Sequence, residues 1–149
     1  MRVALLVLSA FAVVGAPSER RAKVRPAERT TWDSVFTRAQ AARGEATYAR
    51  TCSRCHQATL TGADQSPALV GSTFLGKWDG LTVGQLHDRI RTTMPSGDPG
   101  IYTRAEVSDV IAYILDYNEY PAGIVELPTS GELLGGIRIL ESRPRAGGR

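Results

Sequence analysis

The sequence predicts an all-α fold of about three to five short helices that are joined by long loops. Apolar residues recur at steps of three and four in three segments of the 149-residue chain, as they do along one face of a helix. No segment of the body shows the alternation of apolar and polar residues that is typical of a half-buried strand. Three modest helices with long loops leave little apolar surface for a core, which indicates that a large apolar group fills the centre.

The N-terminus has the features of a secretory signal peptide over residues 1–16. Arg2 precedes an almost wholly apolar run over 3–14, and small residues end the segment at Ala16. The run is too short to span a bilayer comfortably, so contact with a membrane is expected only if the segment stays uncleaved. Pro17 hinders cleavage directly after Ala16, and the cleavage point therefore stays open.

A polar, basic stretch over residues 17–31 predicts a flexible leader, and the chain then divides into a domain over 32–123 and a C-terminal extension over 124–149. The formal net charge of +3 comes from both ends of the chain, because residues 31–137 hold eight Lys and Arg against twelve Asp and Glu. The body lacks a basic stripe with interleaved aromatic residues, and we therefore expect no nucleic-acid partner.

The first helix is predicted over residues 37–51, where Ala41, Gly44, Tyr48 and Cys52 recur along one face. Glycine lowers helix propensity, so the presence of Gly44 needs a reason. One reading is that the helix tolerates a single poor residue. The other is that a second helix crosses closely at this point.

Two further helices begin with capping boxes, in which the side chains of the first residue and of a residue three positions later bond each other's backbone. Thr82 and Gln85 open a helix over 81–93, and Thr103 and Glu106 open another. The apolar stripe of the last helix has the clearest helical spacing in the chain and consists of Val107, Val110, Ile111, Ile114 and Leu115.

Asn118 and the Pro-Ala-Gly sequence at 121–123 end the last predicted helix. Beyond it, residues 124–127 and 133–140 contain enough apolar side chains to dock on a neighbouring surface. We expect them to pack on their own domain, and contact with a partner is the alternative. Residues 142–149 are predicted to be frayed.

Both cysteines of the chain lie in the stretch TCSRCHQ, where Cys52 and Cys55 are followed directly by His56. This is the pattern for covalent attachment of a c-type haem. Two thiols three residues apart at the end of a helix can reach the two vinyl groups on one porphyrin edge and form thioethers. The adjacent imidazole then becomes the fifth ligand of the iron. The sequence thus predicts one haem c that is bound through Cys52 and Cys55.

Other readings of the cysteine pair are weaker. A closed zinc site would have to recruit carboxylates, because the chain has no further cysteine and only one other histidine, His87. A thioredoxin-like redox pair would adjoin a strand-helix-strand pattern, which is missing here. A disulfide from Cys52 to Cys55 would close a very small loop and would stabilise the fold little.

Two residues are candidates for the sixth ligand of the iron. Apart from Met1, Met94 is the only methionine, and Pro95 follows it in a loop that could hold the thioether against the iron. Isolated methionines are often core filler, but the polar turn residues around Met94 favour the ligand reading. His87 lies within a helix beside the apolar stripe and is predicted to be packed or partly exposed rather than iron-bound.

Five short motifs occur in a characteristic order between residues 40 and 123. They are Gly44 with Tyr48, residues 52–56, residues 67–71, residues 93–95 and residues 110–114. In the order and spacing of these motifs the sequence resembles the class I monohaem c-type cytochromes. It is similar in detail to the small cytochrome c modules that are associated with quinoprotein alcohol dehydrogenases.

The resemblance implies a cytochrome c-like fold that is wrapped around one covalently bound haem. It implies that the carbonyl of Pro67 accepts a hydrogen bond from the His56 ring, and that Leu69 packs on the haem. It also implies that Gly44 lets the first helix cross the last one. Two aromatic residues either border the haem or belong to the ordinary core, Trp78 and Phe74.

With His56 and Met94 on the iron, no coordination position remains for a substrate, so an electron carrier is expected rather than an enzyme. The expected partners are redox proteins, such as a quinoprotein dehydrogenase or a terminal oxidase. A gas-binding or gas-sensing haem protein with a displaceable sixth ligand is one alternative, and a haem-bearing subunit of a dehydrogenase complex is another. The signal segment predicts a periplasmic, exported bacterial protein.

Overall fold

The computed structural model of the protein describes residues 29–145. The predicted signal peptide, most of the predicted leader and the last four residues lie outside this range. The helices are α1 (Arg38–Thr47), α2 (Ser53–His56), α3 (Gly71–Trp78), α4 (Val83–Thr93), α5 (Arg104–Tyr117) and α6 (Gly131–Gly135). A π-helical turn, Tyr48–Cys52, joins α1 to α2 without a break, so residues 29–145 contain five helical segments. The prediction of an all-α fold is confirmed.

The first helical segment begins where predicted and runs further than predicted. The Thr37 side chain caps α1 by accepting the backbone N–H of Gln40. The helix does not end at Thr51, because the π-helical turn and α2 carry it on to His56. α1 packs along α5, and a Cβ atom at Gly44 would lie 1.8 Å from the backbone oxygen of Asp109. The close crossing predicted at this glycine is therefore confirmed.

Both predicted capping boxes are present. In α4 the Thr82 side chain accepts the N–H of Gln85, and the Gln85 side chain accepts the N–H of Thr82 in return. In α5 Thr103 and Glu106 make the same pair of hydrogen bonds. The predicted apolar stripe of α5 is buried, and Asn118 follows the last residue of the helix as predicted.

Helix α3 was not predicted, and it lies between the first and second predicted helices. α3 contains two glycines and has no side-chain cap at its start, so its local signal is weak. Its one buried residue is Phe74, which lies in the core. Phe74 packs beside Trp78 with ring centroids 6.4 Å apart, and this contact anchors the short helix.

The C-terminal extension packs on its own domain. Among its described residues, 124–145, the buried apolar side chains are Leu127, Leu134, Ile137 and Ile139. Two short strands were not predicted: β1 (Arg29–Thr30) and β2 (Ile137–Arg138), which pair in parallel. β1 and the fully buried Thr31 come from the segment that was predicted to be a flexible leader, so the end of that segment is ordered. Among the residues described, no helix has the length and apolar character needed to cross a membrane.

Candidate haem site

A cavity of about 740 Å³ lies between α2, the ends of α3 and α4, and one face of α5. Ligand cavities in proteins fall in the range of about 300–1,000 Å³. All six residues that the sequence analysis assigned to the site line this one cavity: Cys52, Cys55, His56, Pro67, Leu69 and Met94. They come from three separate stretches of the chain, which the fold brings together.

The two cysteines occupy one edge of the cavity. Cys52 ends the π-helical turn and is half-buried, whereas Cys55 lies in α2 and is exposed. Both are free thiols. Burial raises the pKa of the Cys52 thiol above its usual value, which keeps it protonated at neutral pH.

His56 is held in one orientation and one tautomer. Its side chain is buried, and Nδ1 lies 2.8 Å from the carbonyl oxygen of Pro67. A carbonyl can only accept a hydrogen bond, so Nδ1 must carry the proton and donate it. Nε2 is then left with a free lone pair, the form in which a neutral imidazole binds a metal. This is the hydrogen bond that the family resemblance implies.

Met94 enters the cavity from a different element. It is the first residue after α4, and its N–H still donates to the carbonyl of Ile90 at 2.9 Å. Its own backbone is extended, with φ −124° and ψ 145°, so the chain leaves the helix at the residue that carries the thioether. The side chain is half-buried in the cavity wall.

The structure keeps His87 away from the cavity. This side chain is fully buried between α4 and the start of α5, and Nε2 donates to the carbonyl of Arg104 at 3.1 Å. His87 is not among the residues that line the cavity. Met94 is thus the candidate for a second axial ligand that the fold brings to the same cavity as His56.

The remainder of the wall is largely apolar. It is formed by residues from α4, α5 and the loop before α3: Leu69, Leu86, Ile90, Val107, Val110 and Ile114. Of the two aromatic residues considered above, Trp78 lines the cavity, whereas Phe74 belongs to the core and does not. The exposed charged residues at the cavity are Arg54, Lys77, Arg89 and Asp98, a net positive set in a body that carries more acids than bases.

One contact at the cavity had no signal in the sequence. The Tyr102 hydroxyl donates to Oγ1 of Thr51, and both residues line the cavity. This hydrogen bond ties the loop after Met94 to the π-helical turn before Cys52. The sequence around Tyr102 contains no pattern that predicts a hydrogen bond to Thr51, which lies 51 positions away.

The donor set and the cavity fit a haem c. Two thiols adjoin an imidazole with a free nitrogen, a thioether comes from another element, and apolar side chains cover the rest of the wall. A helical fold around such a cavity is that of a class I c-type cytochrome, as the resemblance implies. The family model for cytochrome c oxidase, cbb3-type, subunit III matches residues 39–114, just over half of the chain. The chain belongs to this family, and a haem c electron carrier is the corresponding class of protein.

A chain in the crystal structure of the sulfane dehydrogenase SoxCD from Paracoccus pantotrophus is similar, with 22% sequence identity and a TM-score of 0.43. The match covers 60% of this chain and 53% of that chain, so it spans about half the length of the solved structure. No curated protein matches the sequence.

Proposed function

We propose that this protein is an exported monohaem c-type cytochrome that carries single electrons between redox proteins, with His56 and Met94 as the axial ligands of the iron. One observation carries the proposal: His56, whose ring is oriented by a hydrogen bond, and Met94, the only methionine within residues 29–145, line the same cavity. Family membership supports the haem c. The signal-like segment over residues 1–16 supports export to the periplasm.

Each residue of the site has a separate chemical task. Cys52 and Cys55 would hold a haem covalently, through one thioether bond from each sulfur. His56 offers the Nε2 lone pair, since the Pro67 carbonyl holds the proton on Nδ1. Met94 offers a thioether sulfur, which favours the reduced metal and raises the potential. When bound, the haem supplies a one-electron couple between Fe(II) and Fe(III).

The site supports electron transfer rather than turnover of a substrate. If His56 and Met94 both bound the iron, no coordination position would remain for a reacting molecule, and the rest of the cavity wall is largely apolar. Cys55 is exposed, so the cavity edge that carries the attachment residues reaches the surface. Electron-transfer partners use small and transient contacts of the kind that such an edge can offer.

Two partner classes follow from different observations. The description of the family names a cytochrome c oxidase, which supports a terminal oxidase as the partner. The resemblance to cytochrome c modules of quinoprotein alcohol dehydrogenases supports a dehydrogenase. The exposed cations Arg54, Lys77 and Arg89 favour a partner surface that is acidic in either case, because complementary charge steers the encounter.

Replacement of Met94 tests the axial assignment directly. In Met94→Ala holoprotein we expect the far-red absorption of methionine-bound ferric haem to disappear, the reduction potential to fall, and the reduced protein to bind CO rapidly. The matched control is Ile101→Ala, a change in the same loop at a cavity residue that is about half exposed. This control should keep the wild-type spectrum.

Either of two results would contradict the proposal. A Met94→Ala spectrum identical to that of the wild type would exclude Met94 as a ligand. Rapid CO binding by the reduced wild-type protein at neutral pH would show that the sixth position is open, which favours a gas-binding protein instead.

A further inference from the structure

Asn118, at the C-terminal end of α5, uses its whole side-chain amide to join the helix to the loop before α3 and to the first residue of α3. Oδ1 accepts the N–H of Gly71 at 3.0 Å. Nδ2 donates to the carbonyl of Leu69 at 2.9 Å and to the carbonyl of Ile114, one turn back in α5, at 2.8 Å. Both Leu69 and Ile114 line the cavity. The amide therefore joins two parts of the cavity wall.

The orientation of this amide is unique. Exchanging its oxygen and nitrogen would set an NH₂ group against the N–H of Gly71 and an oxygen against two carbonyls, which removes all three hydrogen bonds. A residue can end a helix without side-chain contacts to another segment, so the hydrogen bonds to Leu69 and Gly71 indicate a role beyond helix termination. The chain has one asparagine, and it stands where both donors and the acceptor are used.

The loop that Asn118 holds is the loop that orients His56. Leu69 lies two residues after Pro67, whose carbonyl accepts the Nδ1 proton of His56 at 2.8 Å. At its other end the loop is bonded to the backbone of the site, because the N–H of Gly62 donates to the carbonyl of His56 at 3.0 Å. The Pro67 carbonyl is thus fixed between α2 on one side and α5 on the other.

We infer that Asn118 is a positioning residue for His56: it fixes the Pro67 carbonyl through Leu69 and Gly71, and so sets the orientation and basicity of the imidazole. The inference rests on the proposed function, in which Nε2 of His56 binds the iron. A histidine that donates its other N–H to a carbonyl becomes a stronger ligand. Since a stronger imidazole donor stabilises Fe(III), a loosened Pro67 carbonyl should raise the reduction potential.

The test compares Asn118→Leu with the wild-type holoprotein. Leucine has a similar branched shape and no charge, and it can make none of the three hydrogen bonds to Gly71, Leu69 and Ile114. We expect an upward shift of the potential. We also expect exchange of the His56 Nδ1 proton, followed by NMR, to become about tenfold faster, the order expected for the loss of one hydrogen bond.

Gln40→Leu is the matched control. Gln40 is a buried amide that bonds both backbone groups of Leu127, at 2.8 and 3.2 Å, and it does not line the cavity. It should lose stability without a change in potential or in the exchange of the ring proton. The role of Asn118 is overturned if Asn118→Leu loses stability in the same way and neither the potential nor the ring proton responds. A wild-type spectrum that lacks histidine ligation would instead overturn the proposed function, and this inference with it.

Discussion

At the residue scale, the tightest constraint in the fold lies at Gly44. A Cβ atom there would sit 1.8 Å from the backbone oxygen of Asp109 and 2.9 Å from the backbone nitrogen of Val110. These are backbone atoms within α5, so a rotamer change cannot relieve the overlap. Gly44→Ala should therefore force α1 and α5 apart and lower the free energy of unfolding by about 3 kcal/mol, measured by denaturant titration of the holoprotein.

A second glycine provides the control for this prediction. Gly76 lies within α3, and nothing is within 4 Å of the position where a Cβ would be added. Gly76→Ala should raise the free energy of unfolding by up to about 1 kcal/mol, because alanine has the higher helix propensity. If Gly44→Ala proved as stable as Gly76→Ala, the close crossing would not limit this fold.

The residues that could be predicted are those with a local signal. Cys52, Cys55 and His56 form a motif of five residues, and the chain offers few other thioether or imidazole groups. Asn118 was recognised only as the end of a helix. Its partners Gly71 and Leu69 lie 47 and 49 positions away, and no local pattern encodes such a distance. For His87 the sequence predicted either packing or partial exposure, and it could not choose between them because the burial of this side chain and its bond to Arg104 depend on how two helices pack.

At the element scale, the capping box of α5 makes helix stability depend on pH. The pKa of the Glu106 carboxyl is held below its ordinary value of 4.5, first by the hydrogen bond from the Thr103 backbone and then by the one from its side chain. The ionised form stabilises the folded state. This stabilisation is fully present above pH 4.5 and is lost as the pH falls through the lowered pKa.

Replacement of Glu106 by glutamine should remove this pH dependence. We expect Glu106→Gln to lower the free energy of unfolding at neutral pH by less than about 1 kcal/mol, since Glu106 is partly exposed and its charge is screened. The difference from the wild type should vanish in the acidic range where Glu106 becomes protonated. Urea titrations at a series of pH values would measure it.

The matched change is made in the capping box of α4. There Gln85 already fills the position that Glu106 fills in α5. Gln85→Glu should give the protein an additional stabilisation that appears only above the acidic range. A difference between Glu106→Gln and the wild type that stayed constant from acid to neutral pH would contradict the electrostatic explanation.

Helices could be predicted from the sequence where a capping signal and a periodic apolar face indicate the same segment. α4 and α5 have both a capping box and a continuous apolar face. α3 and α6 have neither a side-chain cap nor the length for a periodic pattern, and each depends on a single buried residue, Phe74 or Leu134. The pairing of β1 with β2 involves two residues from each strand, and tertiary packing alone brings them together.

At the scale of the whole molecule, the two ends of the described chain are joined around α4. The N–H of Thr31 donates to the carbonyl of Arg138, and the N–H of Ile139 donates to the carbonyl of Leu81, just before α4. α6 lies so close to this helix that a Cβ at Gly84 would be 2.9 Å from the backbone nitrogen of Gly135. The extension thus holds the helix whose end carries Met94.

Because of these contacts, the extension and the cavity should unfold together rather than in separate steps. The buried residues of the extension lie in the same core cluster as Val110 and Ile114, which line the cavity. If the extension were only loosely docked, it could unfold without a change in the ligands or the absorption of the haem. Truncation of one buried side chain in α6 distinguishes the two cases, because it destabilises the cavity only if the extension and the cavity unfold together.

Leu134 and Leu133 are neighbours in α6 that separate these cases, since Leu134 is fully buried and Leu133 is 61% exposed. Leu134→Ala should lower the free energy of unfolding by about 2–5 kcal/mol, the range for a buried leucine, whereas Leu133→Ala should change it by less than about 0.5 kcal/mol. In thermal melts of Leu134→Ala, the helical signal and the methionine-bound haem absorption should be lost at the same lowered temperature. In a cooperative core, truncation of one side chain lowers the stability of every element that packs on it. If the haem absorption of Leu134→Ala were instead lost at the wild-type temperature while α6 was destabilised, the extension would be a separate folding unit.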